Sequence, residues 1–341
     1  MRRILVLLII CTMIIVTGCR SGSDSADTLS DADSSTISLN RLNLEIEEEA
    51  SNPDLYEKRA TYYLNARNIE HALKDINKAI SLDDQQPLYY ITLSDILLVM
   101  GNSANCMTAL NRAVVLDPEN QDAHLRLAKL HLILRNYTAA FRVTNELIRS
   151  DEYNPKAYFI RALGYLEKGD TAIAVGDLMK AVDQDQLYYD AYMQLGDLFS
   201  VRNDPLAEGY FTNALRIRPK SREALYMLGM YYQNTEQFEK ALLTYDRLIA
   251  AEPSFPNAPY NKGYIYLVYI QDFPKAVEAF TEAIRIDSAY IDAIFNRGYA
   301  YELNGQLEQA RSDYKTTLIL NINNQKAIEG MNRLDRAGVR R

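Results

Sequence analysis

The chain has 341 residues, of which 48% are apolar and 24% are charged, and these proportions are ordinary for a folded protein. Only 14 Gly and 10 Pro argue against a sandwich or barrel with many tight turns. The formal net charge of −8 makes nucleic acid an unfavourable partner, because a phosphate backbone is bound by a basic surface, so we expect no nucleic-acid ligand.

The first 18 residues have the organisation of a cleaved secretion signal. A basic start precedes an apolar run over 4–16 that is too short to span a bilayer comfortably. The segment ends in Val16-Thr17-Gly18-Cys19, which resembles the lipobox of bacterial lipoproteins, where cleavage falls before the Cys and lipid is attached to it. The resemblance implies a signal peptide over 1–18 and acyl chains, palmitate among them, on Cys19. The alternative is an uncleaved transmembrane anchor.

The three cysteines then have separate fates. Cys11 leaves with the signal peptide, Cys19 carries lipid, and Cys106 remains alone, so we expect no intramolecular disulfide in the mature chain. Cys106 is expected to be a buried, unreactive side chain. Arg20 follows the lipidated Cys, where enterobacterial lipoproteins kept at the inner membrane have Asp. This favours the outer membrane of a bacterial envelope, at its periplasmic face or at the surface.

Two short segments separate the lipidation site from the rest of the chain. Residues 19–40 are rich in Ser and Asp and contain almost nothing to bury, which predicts a disordered tether. Residues 41–52 include Leu42, Leu44 and Ile46 before three glutamates. They are either a short helix that docks on the next element or an ordered approach to it, and the pattern is too brief to choose.

From residue 53 to residue 324 the sequence repeats with a period near 34 residues, most clearly over 219–283. Small and large apolar residues recur at fixed places, as expected for two antiparallel helices that approach closely at the small residues. The best-formed unit has this set: Leu225, Leu228, Gly229, Tyr232, Ala241, Tyr245, Leu248 and Pro253. The pattern resembles the tetratricopeptide repeat. The resemblance implies an all-α superhelical solenoid of about eight repeats, each with a first helix A and a second helix B.

Turn residues and irregular units refine this register. Gly101, Gly169, Asn203 and Gly305 fall where helix A should end, and Gly and Asn tolerate the left-handed backbone that commonly ends a helix. The fifth repeat is one residue short between its helices, and the seventh has one extra residue in its middle. Cations stand where the family has a large packing residue, and their charged heads are expected to reach water. They are Arg59, Arg161, Lys262 and Arg297.

Residues 325–341 end the chain with a predicted capping helix and a basic tail. Ile328, Met331 and Leu334 share one face of this helix, and a polar outer face suits the terminal position of a solenoid.

The sequence contains little that could carry catalysis, and we expect no enzyme activity and no cofactor. No phosphate-binding loop, HExxH or CxxC motif occurs. His124 and His131 lie seven residues apart on one helical face, but they occupy packing positions of the repeat and have no third ligand of matching spacing. We therefore expect packing there and no metal site.

The resemblance implies that the A helices line a concave ligand groove. Carried onto the last four repeats, the groove positions hold an aromatic and amide set: Met193, Tyr226, Met230, Tyr260, Asn261, Tyr264, Phe295, Asn296 and Tyr299. These side chains either pack on the next helix or bind a ligand. Tyr and Met supply large, adaptable contact area, and Asn can bond a peptide backbone. Because basic residues are missing beside the two Asn, we expect no clamp for a terminal carboxylate.

Two functions follow from this reading. The first is a non-enzymatic, lipid-anchored scaffold or assembly adaptor that binds other envelope proteins or peptides. The alternative is a glycan or small-solute binding lipoprotein that uses the same aromatic groove.

Overall fold

The computed structural model describes residues 30–338, which form eighteen α-helices and no strand. Cys19 and the predicted signal peptide lie outside the described residues, as do 339–341. The chain divides into two compact units, Met1–Leu127 and Ala128–Arg341. Within each unit, consecutive helices pack as antiparallel neighbours, so the all-α solenoid class predicted from the repeat is confirmed.

The first helix, α1, spans Ser30–Glu48 and packs on the helix that follows it. It includes residues 30–40, so the prediction of a disordered tether is wrong for that part, while 19–29 lie outside the described residues. The composition misled because a helix that is anchored at one end extends at little cost per residue. Here Ile46 is buried, and Asn43 accepts a hydrogen bond from Arg59 of the next helix at 2.8 Å.

Eight helix pairs follow α1, and one further helix ends the described chain. The first four pairs are α2 Pro53–Asn65 with α3 Ile69–Leu82, α4 Pro87–Val99 with α5 Ser103–Leu116, α6 Gln121–Ile133 with α7 Tyr137–Ser150, and α8 Pro155–Lys168 with α9 Thr171–Gln184. The last four pairs are α10 Tyr189–Ser200 with α11 Leu206–Ile217, α12 Arg222–Asn234 with α13 Phe238–Ala251, α14 Asn257–Tyr264 with α15 Phe273–Ile286, and α16 Ile291–Leu303 with α17 Leu307–Leu320. Helix α18 spans Gln325–Arg336.

One left-handed residue lies between the two helices of every pair. The set is Arg67, Gly101, Arg135, Gly169, Asn203, Glu236, Gln271 and Gly305. The four turn residues predicted from Gly and Asn are confirmed, and the other four positions carry side chains for which this backbone is less favourable. Composition could not reveal those four, because Arg, Glu and Gln are not turn signals.

The two irregular repeats are accommodated in different ways. In the fifth pair, Asp204 accepts a hydrogen bond from the backbone of Leu206, and α11 is two residues shorter than its counterparts in the first four pairs. In the seventh pair, α14 continues as a π-helix over Ile265–Ile270, which ends at Gln271. A π-turn holds one more residue than an α-turn, so it absorbs the extra residue while the flanking helices keep their register.

In the last four pairs, helices A and B meet where an aromatic ring lies against glycine. A Cβ added to Gly196, Gly229 or Gly263 would lie 2.6–2.7 Å from the ring of Phe211, Tyr245 or Phe280 respectively. Tyr314 is enclosed from two sides, since a Cβ on Gly298 would lie 3.2 Å from its ring and one on Gly330 of α18 would lie 2.5 Å from it. All four rings are fully buried. Side chains larger than hydrogen at these places would hold the helices apart.

The cations that interrupt the packing pattern are bound within the fold. Arg161 donates to both carboxylate oxygens of Asp177 at 2.7 and 2.8 Å and to Asn145 at 2.6 Å. Arg59 and Arg297 bind Asp75 and Asp313 in the same bidentate way, and Lys262 pairs with Asp246. Each of the four side chains keeps 19–20% of its surface exposed, but its charged head is held by a carboxylate, which the repeat pattern does not predict. The partner carboxylate lies sixteen residues from each cation, on a neighbouring helix, and sequence reasoning did not identify it.

We predict that Gly229→Ala destabilises the protein. The added methyl would meet the buried ring of Tyr245, and the overpacking exceeds the gain in helix propensity, for a net loss of about 1–2 kcal/mol. Thermal and urea unfolding followed by circular dichroism would measure it. Gly209→Ala in α11 is the control, because its Cβ would enter open space and stability should stay equal or rise. Equal melting of both variants would contradict this account.

Candidate functional site

The nine candidate groove residues lie on consecutive A helices, α10, α12, α14 and α16, all within the second unit. We call this surface the A-helix face. Met193 and Asn261 are buried, each with 7% of its surface exposed, and the other seven are partly exposed. Hydrogen bonds connect successive A helices of the face. The Tyr189 and Ser221 hydroxyls are bonded at 2.6 Å between α10 and the start of α12, and Asn296 of α16 donates to the Tyr260 hydroxyl of α14 at 3.1 Å.

Tyr245 and Asn261 form a buried polar core beneath the face. Asn261 donates one amide proton to the Tyr245 hydroxyl at 3.2 Å and the other to the sulfur of Met230 at 3.4 Å. Tyr245 in turn donates to Gln233 at 3.1 Å. Burial raises the pKa of the Tyr245 phenol far above its usual range, so it stays a neutral donor. Asn261 therefore holds α14 against the Tyr245 ring of α13. Both of its amide protons are used in these two hydrogen bonds.

Tyr260 lies at the centre of the face. Its ring stacks on Tyr290 with centroids 4.9 Å apart, and it meets Phe280 at 5.7 Å. Burial, with a smaller effect of the Asp292 charge, raises the pKa of Tyr260 to about 12. Tyr226 lies within electrostatic range of both Tyr260 and Tyr290 and packs edge-on against Phe255 at 5.5 Å. The structure thus brings Tyr226, Tyr260 and Asn261 into one neighbourhood.

Phe295 and Tyr299 belong to a second group at the C-terminal end of the face. Phe295 stacks on Tyr299 at 6.4 Å and on the buried Tyr314 at 5.7 Å. Arg333 of α18 lies over the Tyr299 ring at 5.7 Å and binds both oxygens of Glu302 at 2.7 and 2.8 Å. These contacts dock α18 on the last repeat. Tyr264 points instead toward the π-helix, with its ring 6.1 Å from Tyr269.

Carboxylates are the part of the face that the aromatic pattern did not single out. Asp190, Asp197 and Glu223 stand on α10 and α12 close enough for the first two to disfavour the charge of Glu223. Burial raises the pKa of Asp197, and burial followed by the Asp190 charge raises the pKa of Glu223. Neither the Asp197 nor the Glu223 carboxylate has a hydrogen-bond or ion-pair partner among the side chains described over 39–338. In the sequence, these carboxylates are indicated by the positions that they occupy in the repeat.

Cys106, His124 and His131 lie on helices that do not contribute to this face. Cys106 is buried, and its burial raises the pKa of the thiol to about 11, which makes it a poor nucleophile. His124 bonds the Pro118 carbonyl at 2.9 Å, and burial lowers the pKa of His131. Within residues 30–338 no three His, Cys, Asp or Glu side chains come together as metal ligands, and no helix is both long and apolar enough to cross a bilayer.

The family model of the tetratricopeptide repeat matches residues 91–155, 198–259, 226–291 and 265–323, together more than half of the chain. The chain therefore belongs to the tetratricopeptide repeat family, whose members typically mediate protein–protein interactions and whose domains bind peptides or proteins. No curated protein matches it at a significant level.

Two solved structures of tetratricopeptide repeat proteins are similar to this chain. The C-terminal part of a tetratricopeptide repeat-containing protein from Cytophaga hutchinsonii is 17% identical, with a TM-score of 0.51, and the match covers 80% of this chain and 98% of that one. A tetratricopeptide repeat protein from Parabacteroides merdae is 16% identical, with a TM-score of 0.46, over 73% and 98% of the two chains. At 17% identity the likeness to the Cytophaga hutchinsonii structure concerns the fold alone.

We predict that Asp197→Asn raises thermal stability at pH 7. Because the folded-state pKa of Asp197 lies above its unfolded value, its charge costs stability at high pH. That cost disappears as the pH falls through the folded-state pKa to the unfolded value. The variant should therefore melt above the wild type at pH 7 and together with it near about pH 4.

The control for this prediction is Asp183→Asn, which removes an exposed carboxylate from α9. It should leave the melting temperature almost unchanged at both pH values. A melting temperature for Asp197→Asn at or below that of the wild type at pH 7 would show that the buried charge is compensated.

Proposed function

We propose that this protein is a lipid-anchored adaptor of the bacterial cell envelope that binds other envelope proteins, or peptide segments of them, along its A-helix face. The observation that carries the binding proposal is the composition of that face. Seven aromatic and Met side chains follow one another over four consecutive repeats, with unpaired carboxylates among them. Large, partly exposed aromatic side chains are the residues that dominate protein-binding energies.

The anchor rests on the sequence features of the first 19 residues. A basic start, a short apolar run and Val16-Thr17-Gly18-Cys19 follow one another in the order found in bacterial lipoproteins. Several acyl chains on one Cys would hold the protein stably at a membrane, since two or more chains anchor where one does not. Arg20 favours the outer membrane.

Glycan binding uses aromatic side chains differently, because sugars stack on open ring faces. On this face the ring of Tyr260 is already stacked on Tyr290, and Phe295 is stacked on Tyr314. Trp, the side chain with the largest such face, is absent from the chain. These features favour a protein or peptide ligand.

We predict that partners are lost when the tyrosines of the face are truncated. Full-length protein carrying Tyr226→Ala, Tyr260→Ala and Tyr264→Ala should recover partners from detergent-solubilised envelope at least about 10-fold less well, since each hot spot contributes about 1 kcal/mol or more and about 1.4 kcal/mol is already tenfold in affinity. Quantitative mass spectrometry would measure recovery, with circular dichroism to verify folding. Tyr153→Ala is the control, because Tyr153 is 67% exposed and lies in the turn between α7 and α8. Undiminished recovery by the triple variant would place the partners elsewhere, and micromolar glycan binding would replace this function with the alternative.

Cys19→Ala should abolish lipidation and leave an unprocessed or mislocalised precursor. Metabolic labelling with radioactive palmitate, followed by membrane fractionation, would measure this. Cys106→Ala is the matched control and should be labelled and localised as the wild type is. Normal processing and labelling of Cys19→Ala would refute the lipobox interpretation.

A further inference from the structure

We propose that copies of this protein associate head to tail, with α18 of one copy packed against α1 and α2 of the next, so that α18 and α1 complete one helix pair. Among residues 30–338, α1 and α18 are the two helices that stand outside the eight pairs. This association is separate from the binding proposed for the A-helix face and does not depend on it.

Helix α1 takes the place of a helix B in front of the first pair. Arg59 of α2 donates to Asn43 of α1, sixteen residues earlier, at 2.8 Å. Arg161 of α8 makes the same hydrogen bond with Asn145 of α7, also sixteen residues earlier, at 2.6 Å. Since α7 is the helix B that precedes α8, α1 docks on α2 as the helix B of a preceding repeat would.

Helix α18 takes the place of a helix A behind the eighth pair. Asp335 of α18 accepts a hydrogen bond from Arg311 of α17, twenty-four residues earlier, at 2.7 Å. Tyr232 of α12 donates to Glu208 of α11 over the same separation, at 2.9 Å. Since α12 is the helix A that follows α11, α18 docks on α17 as the helix A of a further repeat would.

The face of α1 that a helix A would cover is open within the described residues. Leu42 directly precedes Asn43, as Thr144 of α7 directly precedes Asn145. Leu42 is partly exposed, whereas Thr144 and its seven counterparts in the other B helices are 0–1% exposed. These counterparts are Ile76, Leu110, Leu178, Phe211, Tyr245, Phe280 and Tyr314. A place that is buried in every pair is therefore accessible in α1.

The matching face of α18 is open as well. Gly330 of α18 and Asn261 of α14 take the same place, because each contacts a tyrosine ring sixteen residues earlier. Two residues further on lie Asn332 in α18 and Gly263 in α14. Asn332 is exposed, whereas Gly263 and its counterparts in the other seven A helices are buried. These counterparts are Ala60, Ser94, Ala128, Ala162, Gly196, Gly229 and Gly298.

The open face of α1 borders a groove between α1 and α2. The groove has a volume of about 430 Å³, and Leu42, Glu45 and Lys58 are among its lining residues. A helix A seated there would contact α1 as its own helix B and α2 as the next helix A. Asn332 of that helix would meet Leu42, as each glycine of the last four A helices meets the ring of its helix B. Glu45 enters the contact already paired, because Arg41 donates to it at 2.8 Å.

The same register predicts a salt bridge between copies. Lys58 of α2 takes the place of Asn296 of α16, which donates to Tyr260 of the preceding helix A at 3.1 Å. Glu329 of α18 takes the place of Tyr260, so Glu329 of one copy would meet Lys58 of the next. Among the side chains described over 39–338, Lys58 has no ion-pair partner, and Glu329 accepts one hydrogen bond, from Gln325 at 3.1 Å.

Exposed apolar side chains stand where the B helices of the two copies would be neighbours. Ile319 of α17 is 82% exposed, more than any other large apolar side chain over 39–338, and Leu44 of α1 is 61% exposed. In the repeat, these two residues take the places of Arg216 on α11 and Arg247 on α13, which line one groove. Ile319 of one copy would therefore lie across such a groove from Leu44 of the next, and the contact would remove apolar surface from water.

The two ends also differ in charge. Residues 39–49 contain one arginine and four glutamates, whereas 325–341 contain five cations and two carboxylates. Contact between ends of opposite charge is favourable, and contact between two like ends is not. Charge therefore favours a head-to-tail contact over a symmetric dimer, and such a contact continues the A helices from α18 of one copy to α2 of the next.

Cross-linking of mixed single-cysteine variants tests this geometry. Leu44→Cys and Ile319→Cys are each introduced into full-length Cys106→Ala protein, and differently tagged copies are mixed in detergent with a short bismaleimide. The mixture should give at least about 10-fold more cross-linked heterodimer than Leu44→Cys copies give homodimer. The control mixes Leu44→Cys with Val115→Cys, because Val115 takes the place of Ile319 on α5 and is 69% exposed.

Cross-linking that is confined to the mixture of Leu44→Cys and Ile319→Cys supports the head-to-tail contact. Equal cross-linking in the Val115→Cys control, or between Leu44→Cys copies alone, overturns it, because α1 and α17 of different copies would then not be specific neighbours. The absence of any cross-link, from protein whose circular dichroism matches that of the wild type, overturns it as well.

Charge reversal gives a second, independent readout. Lys58→Glu should weaken self-association about 10-fold, as measured by light scattering of the full-length protein in detergent over a range of concentrations. Glu329→Lys should have the same effect. The chain that carries both changes should return to within about threefold of the wild type, because each contact between copies regains one cation and one carboxylate. Association that neither single change weakens, or that the double change does not restore, overturns the proposal.

Discussion

The close approach of the two helices in each of the last four repeats depends on a ring that lies against a residue without a side chain. Phe211, Tyr245, Phe280 and Tyr314 are fully buried, and glycine on the facing helix leaves room for each of them. The same ring contacts the next repeat, as the bond between Tyr245 and Asn261 and the contact between Tyr314 and Gly330 show. One side chain thereby sets the spacing within a repeat and the spacing to the next one. Stacking in this family is a sum of such nearest-neighbour contacts.

Sequence reasoning recovered the parts of the fold that follow from local pattern. The period, the helix pairs and the left-handed turns at Gly101, Gly169, Asn203 and Gly305 can be read from spacing alone. The π-helix at Ile265–Ile270 could be anticipated as one extra residue, but its conformation could not, because several distortions absorb an insertion. The start of α1 was missed because composition describes an isolated segment and ignores the docking that extends a helix.

The candidate site was predictable only in part. Repeat positions indicated the aromatic residues, since the period assigns each residue to a face. They did not indicate that Asn261 donates inward to Tyr245, because that bond depends on a hydroxyl sixteen residues earlier. Likewise the repeat pattern predicts a solvated cation at Arg161, whereas Asp177 and Asn145 bind its guanidinium group. Pairings between helices are set by three-dimensional register, and a single sequence does not display them directly.

Some side chains of the A-helix face already contact a neighbouring side chain and therefore contribute to packing. Those without such a partner are the ones left to bind a ligand. The rings of this face are largely engaged with one another, as Tyr260 is with Tyr290 and Phe295 with Tyr314, so they hold successive helices in place. Lys262, Arg297 and the amide protons of Asn261 are engaged as well. Asp197 and Glu223 are the exception, because they are partly buried, ionisable and unpaired within the described chain. Sites that bind ligands commonly keep such groups at a cost in stability. Packing therefore accounts for the stacked rings of the face, whereas it does not account for the partly buried carboxylates of Asp197 and Glu223.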